Sequence, residues 1–150
     1  MGQRKREKNA LGGRVWAALL SFGLIGQIAW VVENMYFNVF LYNTITGDAG
    51  MIAAMVAASA VVAAVATLTV GALSDKLGMR KPIIITGYLL WGLSVMAFAL
   101  VRVSGLERLL GPAKAVQTAA VLVILLDCVM TFFGSSANDA AFNAWVTDVT

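Results

Sequence analysis

Three carboxyl groups stand inside long apolar runs of this chain: Glu33, Asp127 and Asp139. Amides accompany them. Gln27, Asn34 and Asn38 share a run with Glu33, and Asn143 follows Asp139 by one helical turn. A charged group at the centre of a bilayer costs about 3 kcal/mol on insertion scales, so it must face protein, water or a partner. A carboxyl that alternates between a dry and a wet environment can load and release a proton, and amides beside it can hydrogen-bond a polar solute. The chemistry on offer is therefore binding and proton or cation exchange. Group transfer is not on offer. The chain has no histidine and a single cysteine, Cys128, which excludes a histidine-based triad, an internal disulfide and the usual zinc and haem sites. Ser135, Ser136 and Asp139 have no base to activate them, and no phosphate-binding loop is present. The sequence predicts no enzyme, no cofactor and no metal site.

The elements that must position these groups are membrane spans. The chain has 150 residues, of which 60% are hydrophobic and 13% charged, and its mean hydropathy is +0.83. A soluble domain carries nearly twice that charge. A helix needs about 20 apolar residues to cross the hydrocarbon, and four segments qualify: 15–41, 50–74, 82–103 and 116–143. The fold class expected is an all-α membrane protein of four transmembrane helices, preceded by a basic arm at 1–14. The first apolar run is too long for a cleavable signal and ends in no small-residue cleavage site.

Charge predicts orientation. Arg4, Lys5, Arg6, Lys8 and Arg14 lie before the first span, and Lys76, Arg80 and Lys81 lie between the second and third. Only Arg102, Arg108 and Lys114 lie on the other side. The positive-inside rule then puts both termini in the cytoplasm, and the plasma (cytoplasmic) membrane is the expected location. The net charge of +3 reflects this topology, and nucleic acid is not an expected partner. The lipid bilayer is.

Helical spacing sorts the polar residues into faces. Gln27, Asn34 and Asn38 fall within about 40° of one another. Glu33 lies about 100° away, on a face with Gly26, Trp30 and Phe37. Glu33 reads equally as a buried acid bonded to a neighbouring helix and as a binding group. In segment 4, Asp127, Thr131, Gly134 and Asn138 form one face, and Ser135, Asp139 and Phe142 another. Asp139 reads as functional, and Asp127, nearer the far end, as structural. Segment 2 is rich in alanine, which suits close helix packing in lipid. Segment 3 has no charge and reads as a lipid-facing or supporting helix, with Pro82 in its first turn. The connection at 104–115 is an ordinary loop whose Leu106, Leu109 and Leu110 suit a membrane surface.

The turn between segments 2 and 3 is the most specific motif. Gly71, Asp75, Lys76, Gly78, Arg80 and Lys81 sit at spacings that resemble the loop between helices 2 and 3 of the major facilitator superfamily of transporters. Met79 stands where many members carry a further Arg. The resemblance implies that the four segments are the first part of a twelve-helix fold, whose six-helix halves are inverted three-helix repeats. The remaining helices of the same transporter are then an expected partner. Helices 1 and 4 of that fold line the cavity, and here the buried charges occur only in segments 1 and 4. The loop residues Gly71, Asp75, Lys76, Gly78, Arg80 and Lys81 become a gate, with Asp75, Arg80 and Lys81 as a charge lock that holds one conformation.

The run Asp139-Ala-Ala-Phe142-Asn-Ala-Trp145-Val-Thr147 is similar to helix 4 of the glycoside–pentoside–hexuronide cation symporters, the melibiose permease-like branch. That resemblance implies secondary active transport of a small polar solute, a sugar or glycoside, by alternating access. Gln27, Glu33, Asn34, Asn38, Asp139, Asn143 and Trp145 are the expected substrate- or cation-binding residues, and Trp145 or Phe142 would stack on a sugar face. Sodium-coupled members carry acids in helix 2. Segment 2 carries none, so a proton acting through Glu33 or Asp139 is the expected coupling ion. The competing reading is a self-contained four-helix membrane protein that works as an oligomeric pore or scaffold.

Overall fold

The computed structural model describes residues 12–149. Most of the basic arm, including Arg4, Lys5, Arg6 and Lys8, lies outside the described residues. The chain is helical almost throughout. Helix α1 covers Gly13–Phe40 and runs into a π-helical turn at Leu41–Ile45. Helix α2 covers Ala49–Leu77, and α3 covers Arg80–Ala97 with a 3-10 turn at Phe98–Leu100. A short α4, Val103–Leu110, precedes α5, Pro112–Gly134. The same rod continues as π-helix over Ser135–Phe142 and ends as α6, Asn143–Val149. Four of these stretches are long and apolar enough to cross a membrane: Gly13–Ile45, Ala49–Leu77, Arg80–Leu100 and Lys114–Asp148. The protein is an integral membrane protein.

Local chemistry ends the helices where they end. Asp48 caps α2 by accepting the Gly50 N–H at 2.8 Å. Gly78 closes α2 with φ of 64°, and its N–H reaches the Ser74 carbonyl at 2.9 Å. A side chain at that left-handed position is strained, which is why the turn needs glycine there. Gly111 breaks the chain at φ 80°, and Pro112 then opens α5, where a missing N–H costs nothing. The segment expected as a plain loop therefore contains a helix. In α4, Leu106 packs inward while Leu109 is 82% exposed.

The packing is inside-out relative to a soluble protein. Large apolar residues such as Leu68, Met96 and Leu100 point outward, and alanines such as Ala66, Ala119, Ala137 and Ala141 are buried. Without a hydrophobic drive between helices in lipid, small residues that allow close approach supply the contact. The rod α5–π–α6 is the centre, with α2 along one side and α3 along the other. Gly87 of α3 meets Ala137 so closely that an added Cβ would fall 2.7 Å from the alanine methyl. Helix α1 leans on this unit through few points. Phe37 stacks on Phe98 with ring centroids 3.9 Å apart, and Gly26 is buried against α3 and the π segment. Two hydroxyls of α2 bond to their own helix: Ser59 donates to the Met55 carbonyl and Thr69 to the Val65 carbonyl, each at 2.7 Å.

Candidate functional site

The π segment decides where the polar groups of the central rod go. Seven of its eight residues are buried: Ser135, Ser136, Ala137, Asn138, Ala140, Ala141 and Phe142. The exception is Asp139, which is half-buried. Wider winding and small side chains let three neighbouring helices close around it, and π-helical turns inside α-helices are frequent at functional sites. The change of winding also breaks the faces expected from uniform spacing. Asn138 and Asp139, assigned to different faces, are bonded to each other: the Asn138 amide donates to Asp139 Oδ1 at 3.1 Å.

From that pair a ladder of bonds crosses to α3 and α1. Tyr88 donates its hydroxyl to Asn138 Oδ1 at 3.0 Å. Gly26 of α1 lies directly over this bond; an added Cβ would fall 2.7 Å from Asn138 Oδ1 and 2.9 Å from the Tyr88 oxygen. One turn along α3, the buried Trp91 donates its indole N–H to Glu33 Oε2 at 2.7 Å. The Tyr88 and Trp91 rings are tilted neighbours with centroids 5.5 Å apart. Beyond Glu33 lies Asp127, buried to 6% exposure, within hydrogen-bonding reach of Ser59 on α2 and close enough to Glu33 to act on it electrostatically. Segment 3 is thus more than a lipid-facing support: it holds both acid-bearing helices.

The expected binding residues divide accordingly. Glu33 and Asp139 belong to the ladder. Gln27 and Asn34 are exposed, and the Asn34 amide turns back to the Trp30 carbonyl at 2.8 Å. Asn38 is half-buried and its Oδ1 has no partner among the described residues. Asn143 is exposed. Trp145 packs on Phe142 at 6.0 Å, and Phe142 is itself buried beside Phe22, which leaves little of its ring to stack on a sugar. Ser74 and Ser135 bury hydroxyls that have no partner among the described residues.

At the end of the molecule that carries the turn, Arg80 is forked between two acids on different helices. Its Nη1 is 3.0 Å from Asp75 Oδ1 at the end of α2. Its Nε and Nη2 engage both carboxylate oxygens of Asp148 in α6. Arg80 is 19% exposed, whereas Asp75 is 63% and Asp148 50% exposed. Exposed ion pairs contribute about 0–1 kcal/mol each, so this fork specifies an arrangement without freezing it. Lys81 takes no part in it. Sequence reasoning missed Asp148, whose only signal was an acid at the end of segment 4 opposite a basic turn. It also gave no binding role to Tyr88, Trp91 or Asn138, because tyrosine and tryptophan in an apolar span resemble interface anchors.

The chain matches no protein-family model, no curated protein and no solved structure with significance.

Proposed function

We propose that this chain is part of a secondary active transporter of major facilitator type. It moves a small polar solute, a sugar or glycoside, by alternating access, with a proton as the coupling ion. The observation that carries the reading is the Arg80 fork, which joins the motif of the 2–3 turn, through Asp75, to the end of segment 4, through Asp148. A weak, half-exposed lock between helix ends suits a structure that must open and close. Glu33 and Asp139 supply carboxyls at membrane depth, held by Trp91 and Asn138, and are the candidates for proton loading. Asn143 lies one turn from Asp139 along the same rod and is the candidate solute contact. The arm and the 2–3 turn face the cytoplasm, in the plasma membrane, and the remaining helices of the transporter complete the cavity.

The test is uptake by the complete protein in proteoliposomes, using a panel of labelled mono- and disaccharides with and without an imposed pH gradient. Accumulation of one sugar that collapses when the gradient is dissipated supports the reading. Absence of uptake across the panel, from protein shown to be folded, counts against it.

One observation favours a second reading. Gln27 and Asn34 are exposed on α1 at membrane depth, and polar groups there need a protein or water neighbour. A second copy of this chain would serve as well as further helices. Light scattering of the purified protein distinguishes an oligomer of four-helix units from a single longer chain.

A further inference from the structure

A crevice runs between α1 and α3 at the end of the molecule that carries the Arg80 fork. Its mouth is a hollow of about 480 Å³ bounded by Met79, Lys81, Pro82, Trp145 and the ion-paired Arg80 and Asp148. Lys81 and Trp145 also border a second, apolar cleft of about 290 Å³. Ala18 and Phe22 of α1 form one wall of that cleft, Ile84 and Ile85 of α3 the other, and Phe142 its floor. Phe22 carries the cleft on into a smaller hollow of about 170 Å³ that ends at Gly26 and Tyr88. From Lys81 to Tyr88 this path follows α3 for about 10 Å into the membrane.

Two cations without an acid partner among the described residues serve this crevice: Lys81 lines its mouth, and Arg14 precedes its α1 wall by one turn. Lys81 is exposed and forms no ion pair among the described residues, unlike its neighbour Arg80. Arg14 is exposed, likewise unpaired among the described residues, and lies one turn before Ala18 on the same face of α1. We infer that this crevice is a binding site for an acidic phospholipid, with its phosphate between Arg14 and Lys81 and one acyl chain in the cleft between α1 and α3. The charge and the shape select this occupant together. A neutral lipid has no use for two unpaired cations, and a water-soluble anion has no use for an apolar cleft beneath them. Trp145 sits where the two parts join, the headgroup level that tryptophan favours. Its ring, expected from sequence to stack on a sugar, then borders the lipid. The site does not depend on transport activity.

The test is native mass spectrometry of the full protein, titrated with dioleoylphosphatidylglycerol or dioleoylphosphatidylcholine. The glycerol lipid is expected to bind more tightly. The double variant Arg14→Gln, Lys81→Gln should lose about thirtyfold in affinity for it, about fivefold per cation, and leave the choline lipid unchanged. Ala18→Phe, which fills the cleft, should weaken both. Equal affinity for the two lipids in the wild type, or an unchanged preference in the double variant, overturns the assignment. A phosphatidylglycerol with a diazirine in its acyl chain gives a readout that needs no variant. Adducts on Phe22, Ile84 or Ile85 support the site. Adducts confined to other surfaces, as when a further helix fills the cleft, overturn it.

Discussion

Trp91 donates to Glu33 across the gap between α3 and α1, and the 2.7 Å bond is one of few ties that hold α1 to the rest of the molecule. The bond gives an acid at membrane depth a fixed partner, and its second oxygen takes no hydrogen bond among the described residues. Hydrogen bonds between membrane helices average about 0.6 kcal/mol and reach about 1.7 kcal/mol in double-mutant cycles, because the separated helices find other partners. A cycle over Trp91→Phe and Glu33→Ala, read by thermal unfolding in detergent, should give coupling within that range. Coupling indistinguishable from zero means that the two residues are neighbours and nothing more.

Gly26 makes a sharper prediction. Its missing side chain is what admits the Tyr88–Asn138 bond, since an added Cβ would lie within 3 Å of both partners. Gly26→Ala should push α1 away and destabilise by about 1–3 kcal/mol, the usual result of overpacking. Gly92, in α3, has nothing within 4 Å of such a Cβ. Gly92→Ala should be neutral or slightly stabilising, because alanine favours helix. Equal melting points for the two variants would contradict the close approach.

Much of this arrangement is legible in the sequence. The four spans follow from hydropathy, and Gly78 from the turn that it must make. Helical spacing sets Glu33 on one face with Gly26, Trp30 and Phe37; Gly26 and Phe37 pack, while Trp30 is exposed. What escaped was the π segment. Uniform spacing near 100° per residue assigns Asn138 to the Asp127 face and Asp139 to another, and nothing in the run Ser135–Phe142 announces a wider helix. Asp148 escaped for a different reason. Its partner is 68 residues away in sequence, and an ion pair between chain segments leaves no local pattern.

The Arg80 fork should matter more to conformation than to stability. Asp148→Asn and Asp75→Asn remove one arm each, and either should lower the melting point by no more than about 2–4 °C, as for about 1 kcal/mol or less in a half-exposed pair. Their effect belongs in accessibility. With Cys128 replaced by serine and a reporter cysteine placed at Asn143, alkylation from the side of the turn should speed up severalfold when either arm is cut. The charge-reversed pair Arg80→Asp, Asp148→Arg should restore part of the protection. Identical alkylation rates in all of these proteins would remove the lock from the mechanism.

Asp139 carries the strongest functional prediction, because it is the one residue of the π segment that its neighbours leave partly open. Asp139→Asn keeps the shape and an acceptor for the Asn138 amide, so membrane insertion and melting should stay close to wild type. It removes the ionisable group. Coupled accumulation of solute by the complete protein should then fall to the level of empty liposomes, while counterflow exchange, which needs no net proton movement, should survive at a measurable rate. Glu33→Gln is the matching control at the other end of the ladder: it also keeps an acceptor for Trp91. If Asp139→Asn accumulates solute like wild type and Glu33→Gln does not, the proton site lies between α1 and α3, and Asp139 serves only to hold Asn138.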